Sequence, residues 1–65
     1  MKILLNGESL ATEARNLDEL CASLGYGEAK IATALNGSFV PAASRAATQL
    51  APKDQVEIVA PRQGG

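Results

Sequence analysis

Two Asn-Gly pairs constrain the fold of this chain more than any other feature. Asn6-Gly7 lies between the stretches KILL and ESLAT, and Asn36-Gly37 lies between IATAL and SFVP. Asn and Gly tolerate the positive φ angles of a tight two-residue turn, so each pair predicts a β-hairpin. We expect the first hairpin to join strands near Lys2–Leu5 and Ser9–Thr12. Two hairpins in a chain of 65 residues leave room for one small domain.

The segment between the hairpins has a helical period. Intervals of three and four residues place four apolar side chains on one face of a helix: Leu17, Leu20, Cys21 and Leu24. Asn16 is predicted to cap the N-terminus of this helix, with Glu19 as the reciprocal partner of a capping box. Gly25 suits the left-handed residue that ends a helix. The sequence therefore predicts one amphipathic helix over residues 17–24.

The C-terminal third contains a connector and one strand. AASRAATQLAPKD has no clear period and room for one short helical turn, whereas QVEIVA alternates. The alternation sets Val56, Ile58 and Ala60 against Gln55, Glu57 and Val59, as in a strand buried on at least one face. The order of elements predicts an α+β fold, a mixed sheet with one main helix packed on one face. The last strand is expected in the centre, beside the first.

The residues of common enzyme chemistry are missing. The chain has no histidine and one cysteine, so it lacks a triad base and the ligands of a zinc site. It has no glycine-rich phosphate loop, and its acidic residues are dispersed. The spacing of Cys21 assigns that thiol to packing rather than to nucleophilic chemistry. We expect no enzyme activity, no bound cofactor and no metal.

Charge and cysteine usage bear on partners and location. The net charge of −1 and the scattered basic residues do not form a nucleic-acid footprint. One cysteine fits a reducing compartment. The apolar run in MKILLNG is too short for a secretory signal, and no stretch approaches the roughly 18 apolar residues of a membrane span. A cytoplasmic protein is expected.

The ending PRQGG is the strongest pointer to function. We expect a folded domain over residues 1–60 and a flexible tail over residues 61–65. Gly64 and Gly65 lack Cβ and could pass through a channel too narrow for other residues. Pro61 has no N–H to donate and would stop the strand ladder. If Gly65 ends the chain, its carboxylate is ionised at neutral pH, and chemistry at that carboxylate requires activation by a partner.

The most specific pattern covers the last strand and the ending: Asp54, Val56, Glu57, Ile58, Val59, Pro61, Arg62, Gln63, Gly64 and Gly65. In this spacing, and together with the hairpin ALNGSFVP, it closely resembles the bacterial thiamine-biosynthesis sulfur carrier family. That family belongs to the ubiquitin-like sulfur carriers, so the resemblance implies a ubiquitin-like β-grasp fold along the whole chain. One departure is Lys53, which stands where the family often has glycine.

The resemblance also implies a mechanism. A ubiquitin-activating-like adenylyltransferase would use ATP to adenylate Gly65, and a sulfur donor such as a cysteine desulfurase system would convert the adenylate to a thiocarboxylate. Thiazole synthase would accept the sulfur. The partner-binding tail would comprise Pro61, Arg62, Gln63 and Gly64, and the catalytic groups would belong to the partners.

Three alternatives stay open. The chain could deliver sulfur as a molybdopterin synthase small subunit does, or act as a ubiquitin-like modifier joined through Gly65 to target lysines. It could also be a plain interaction domain. Phe39 and Val59 are possible exposed contacts, although Phe39 is expected in the core.

Overall fold

The elements follow the predicted order of hairpin, helix, hairpin, connector and strand. A computed structural model of the chain describes residues 1–26 and 30–60. Its elements are strands β1 (Lys2–Leu5) and β2 (Glu8–Ala11), helix α1 (Leu17–Ser23), strands β3 (Ala32–Leu35) and β4 (Ser38–Val40), a 3-10 helix (Ala42–Ala47) and strand β5 (Gln55–Val59). The 3-10 helix supplies the short helical turn expected in the connector.

The five strands form one mixed sheet in the order β2-β1-β5-β3-β4. Each hairpin is antiparallel, β5 is antiparallel to β3, and β5 is parallel to β1. Both hairpin turns have the predicted positive φ angles, 50° and 85° at Asn6 and Gly7 and 51° and 86° at Asn36 and Gly37. The mixed sheet, with the last strand central beside the first, is confirmed.

Helix α1 covers one face of the sheet. The buried apolar core consists of Ile3, Leu17, Leu20, Cys21, Val40, Val56 and Ile58, with Leu24 packed at its margin. Along β5, Val56 and Ile58 are buried whereas Gln55, Glu57 and Val59 are exposed, as the alternation predicts. Ala60 is exposed, so its predicted place on the buried face is wrong. The strand ends at Val59, and the buried face of β5 therefore ends at Ile58.

The helix caps follow the sequence with one correction. The Asn16 side chain accepts the Glu19 backbone N–H at 2.8 Å, as predicted for the N-cap. The Glu19 carboxylate does not complete the box with Asn16; it accepts the backbone N–H of Arg15 at 2.8 Å and the Arg15 guanidinium at 3.2 Å. These bonds, chiefly the one from the backbone N–H, lower the pKa of Glu19. The Glu19 carboxylate therefore bonds to Arg15, the residue before the N-cap, and not to the N-cap residue itself.

Gly25 ends the helix as predicted, in the left-handed region at φ 87°. Its N–H donates to the carbonyl of Ala22 at 3.1 Å, and the N–H of Tyr26 donates to the carbonyl of Cys21 at 2.9 Å. This pair of bonds is a Schellman motif. It brings Tyr26 back against the core.

Arg45 links the connector to the sheet through two hydrogen bonds. Its Nε donates to Thr33 Oγ1 at 3.0 Å, and Nη2 donates to the carbonyl of Ile31 at 2.8 Å. Thr33 is 1% exposed, and its hydroxyl donates to the carbonyl of Val40 at 2.7 Å. Among the described residues, every buried side-chain nitrogen and oxygen has a hydrogen-bond partner. The connector is therefore held by polar contacts as well as by packing.

Lys53 adopts the conformation that glycine favours. Its φ is 73°, and its N–H donates to the carbonyl of Lys2 at 2.8 Å. The turn before β5 is thus formed without glycine, at the cost of holding a residue with a Cβ in the left-handed region.

No helix within residues 1–26 and 30–60 has both the length and the apolar character needed to cross a membrane.

Leu20→Ala should lower the free energy of unfolding by about 2–5 kcal/mol, because Leu20 is 0% exposed and its loss leaves a cavity in a small core. Urea denaturation measures this change. Leu24→Ala is the matched control on the same helix, and it should cost less because Leu24 is only partly buried. Equal losses in the two variants would contradict the orientation of the helix.

Candidate functional site

The predicted site residues come shortly after strand β5 in the chain. Two sets of predicted site residues lie outside the described residues: Gly65, predicted to be modified, and the predicted partner-binding residues Pro61, Arg62, Gln63 and Gly64. The predicted tail over residues 61–65 therefore also lies outside them. The structure does describe Val59, the last strand residue, and Ala60 after it. The described part of the candidate site is therefore the end of β5 and the residues that contact it.

Asn6 holds the end of β5 through its side-chain amide. The pairing of β1 with β5 ends at Leu5 and Val56, and the Asn6 backbone N–H then donates to the carbonyl of Val56 at 2.9 Å. Beyond that point β1 turns into its hairpin. The Asn6 side chain continues the ladder: Oδ1 accepts the N–H of Ile58 at 3.0 Å, and Nδ2 donates to the carbonyl of Ile58 at 3.1 Å. The side-chain amide thus replaces the peptide group that the next residue of a parallel strand would provide.

Asn36 makes the corresponding contacts at the start of β5. Its Oδ1 accepts the N–H of Gln55 at 2.9 Å, and its own N–H donates to the carbonyl of Gln55 at 2.7 Å. Its Nδ2 donates to the Asp54 carboxylate at 3.1 Å. The two turn asparagines therefore bind opposite ends of the same central strand, from opposite sides. The Asn-Gly pattern predicted the turns but contains no signal for these contacts across the chain.

The face of the sheet opposite α1 carries two large apolar side chains. Phe39 is 70% exposed and Val59 is 60% exposed. In the pairing register, Ala34 lies between Phe39 and Glu57, and Ala32 lies beside Val59. The small alanines leave a shallow depression of about 190 Å³ between the larger side chains. We call Ala32, Ala34, Phe39, Glu57 and Val59 the open sheet face.

The expectation that Phe39 lies in the core is wrong. Neighbouring residues of a strand point to opposite faces, and Val40 is the residue of β4 that is buried. Alternation within SFV could have placed Phe39 outward, had Val40 been identified as the core residue. The alternative prediction is that Phe39 and Val59 are exposed and contact a partner. Their exposure is confirmed, and the contact stays a prediction.

Cys21 belongs to the core, as its spacing predicts. The residue is 3% exposed and packs among the buried side chains beneath the sheet. Burial raises the pKa of the thiol, an effect that the nearby positive charge of Arg45 partly opposes. A buried thiol with a raised pKa is a poor nucleophile at neutral pH. Within residues 1–26 and 30–60, no three His, Cys, Asp or Glu side chains lie together as a metal site requires.

A mixed five-stranded sheet with a central last strand and one helix across a single face defines a ubiquitin-like β-grasp protein. A crystal structure of a thiamine biosynthesis protein, ThiS, from Geobacter metallireducens superimposes on the chain with a TM-score of 0.83. The two sequences are 26% identical, and the alignment covers 100% of each chain. The β-grasp fold predicted from the sequence is therefore confirmed.

The sequence profile of the ThiS family matches residues 3–65, and this protein belongs to that family. No curated protein sequence matches the chain. Proteins of the ThiS family are small sulfur carriers of thiamine biosynthesis and not catalysts, which confirms the family resemblance and the expectation that the chain is not an enzyme.

Cys21→Ala should lower the free energy of unfolding by about 1 kcal/mol, the free energy that burial of one small apolar group contributes. The substitution should also change how the free energy of unfolding depends on pH. Because burial raises the pKa of the folded-state thiol, the folded protein binds this proton more tightly than the unfolded chain does. The stability from this preference is present below the unfolded pKa of about 8.5 and is lost as the pH rises through the folded pKa.

Urea denaturation at pH 7 and pH 9.5 measures the effect as a difference between wild type and Cys21→Ala. The wild type should lose more stability over this interval than the variant, since both share every other titrating group. Parallel curves would contradict the buried, protonated thiol.

Proposed function

We propose that this sulfur carrier receives sulfur at the carboxylate of Gly65 and donates it for thiazole formation in thiamine biosynthesis. The observation that carries the proposal is the family match, which extends through the Gly-Gly ending to residue 65. The Geobacter metallireducens relative, a thiamine biosynthesis protein, supports the pathway. The location that fits such a carrier is the cytoplasm.

The proposed chemistry begins at an unreactive group. A carboxylate is a poor electrophile, so an adenylyltransferase would first join a Gly65 oxygen to the α-phosphorus of ATP and release pyrophosphate. The terminal sulfur of a persulfide, made by a cysteine desulfurase, would then attack the acyl carbon and displace AMP. A second thiol would then attack the cysteine sulfur of the resulting acyl disulfide, forming a new disulfide with that cysteine and breaking the S–S bond to release the terminal thiocarboxylate. Its anionic sulfur is the nucleophile that thiazole synthase would use.

The chain itself contributes position rather than catalysis. The five residues Pro61 to Gly65 can reach about 16 Å when extended, enough to enter a partner's active site while the folded domain stays outside. The open sheet face lies at the end of β5 from which these residues depart, because Val59 belongs to both. We propose that this face contacts the adenylyltransferase while the tail enters the active site.

Two other uses of the same carboxylate differ in their products. A molybdopterin synthase-type carrier would also form a thiocarboxylate but would support a different acceptor. A protein modifier would form branched conjugates with lysines. Intact-mass spectrometry of the protein from cells distinguishes the modifier, because replacement of one oxygen by sulfur supports a carrier. Reconstitution with thiazole synthase distinguishes the two carriers.

Phe39→Ala should weaken binding to the adenylyltransferase by about tenfold or more, since exposed aromatic residues at the centre of an interface carry much of its energy. The melting temperature should barely change because Phe39 is 70% exposed. Isothermal titration calorimetry measures the affinity. Gln55→Ala, at the far end of the same sheet face, is the control, and an equal loss there would contradict the proposed contact.

Three tail variants test the position of the reactive carboxylate: deletion of Gly65, Gly64→Val, and one alanine appended after Gly65. Deletion or addition moves the carboxylate by up to about 3.5 Å, and near-attack geometry tolerates much less. Valine at residue 64 places a branched side chain in a channel shaped for bare backbone. Each variant should lose ATP–pyrophosphate exchange in the presence of the adenylyltransferase.

The same three variants should keep the melting temperature of the wild type, which separates a local effect from unfolding. Full adenylation of the variant with the appended alanine would show that the reactive carboxylate need not stand at residue 65.

A further inference from the structure

We infer that Asn6 is a positioning residue for activation of the tail: its side-chain amide fixes the end of β5 from which residues 61–65 depart. The inference rests on the proposed function, in which the Gly65 carboxylate must reach a defined point in a partner. Nothing in the Asn-Gly turn requires this contact, since the positive φ angles alone satisfy the turn.

Strand β5 is bound differently on its two sides. On the side of β3, antiparallel pairing continues to the end of the strand, where Ala32 pairs with Val59. On the side of β1, parallel pairing stops at Leu5 and Val56. Without the Asn6 side chain, the part of the strand after Val56 would be hydrogen-bonded on the β3 side only. The Asn6 amide supplies both a donor and an acceptor to Ile58, at 3.1 and 3.0 Å.

The position of Ile58 makes this contact relevant to function. Ile58 is 4% exposed and is the last core residue of the strand. The next residue, Val59, lies on the open sheet face, and the tail begins two residues after that. A displacement of the backbone at Ile58 would therefore shift both the open sheet face and the point at which the tail begins.

Asparagine is the side chain that fits this task. It tolerates the φ of 50° at this turn position, and its amide offers the same donor and acceptor as a peptide group. Aspartate would accept the Ile58 N–H but could not donate to the Ile58 carbonyl. Glycine would keep the turn and remove both bonds.

Asn36 provides a matched control within the chain. It occupies the same place in a turn of the same geometry, with φ of 51°, and its side chain also bonds to β5. Its contact is at Gln55, at the end of the strand remote from the tail. Asn36→Gly should therefore cost stability as Asn6→Gly does, without displacing the origin of the tail.

The test compares Asn6→Gly, Asn6→Asp and Asn36→Gly in the full chain, at a temperature where all are folded. With the adenylyltransferase, kcat for ATP–pyrophosphate exchange should fall about tenfold for Asn6→Gly and by an intermediate factor for Asn6→Asp. Asn36→Gly should stay within about twofold of wild type. Equal losses for the two glycine variants, or wild-type kcat for Asn6→Gly, would overturn the positioning role.

A second measurement does not depend on the proposed function. In Asn6→Gly, the amide hydrogen of Ile58 should exchange about tenfold faster than in Asn36→Gly, and the backbone NMR order parameters of Val59 and Ala60 should fall. Unchanged values would overturn the inference even if exchange activity fell. If the variants show these NMR differences but the wild type gives no ATP–pyrophosphate exchange, the proposed function fails while the ordering of the strand end by Asn6 stands.

Discussion

The binding of β5 on both sides is the constraint on which the rest of the structure depends. Among the described residues this strand is the last element along the chain, yet it occupies the centre of the sheet and joins the two hairpins. Its buried residues, Val56 and Ile58, complete the core beneath the helix. The side chains of Asn6 and Asn36 add bonds at its two ends. The hairpins form locally, but the sheet exists only when β5 lies between them.

The two faces of the sheet differ in the side chains they carry. The helix side of the sheet holds the apolar core, including Cys21, and burial raises the pKa of the Cys21 thiol. The opposite side exposes Phe39 and Val59 around two alanines, next to the end of β5. Tight turns and polar contacts such as that between Arg45 and Thr33 support so small a core.

Local patterns were sufficient where the cause is local. The positive φ angles of Asn-Gly, the helical period from Leu17 to Leu24 and the left-handed Gly25 are properties of a few neighbouring residues, and each led to the observed element. Patterns failed where two neighbouring groups compete for one partner or where the choice depends on burial. Glu19 bonds to Arg15 rather than to Asn16, and Phe39 lies outside the core because Val40 takes the inward position on a strand of three residues.

The sequence by itself determined the two hairpins, the helix, the alternation of β5 and, through the ending RQGG and the pattern before it, membership of a sulfur carrier family. These depend on turn chemistry, on periodicity and on residue identities that are visible along the chain. Only the tertiary structure decided which apolar residues stay exposed and that Asn6 binds Ile58, 52 residues away in the chain. The physical reason is that a hydrogen bond across the sheet depends on which strands become neighbours, and neither turn motif encodes that choice.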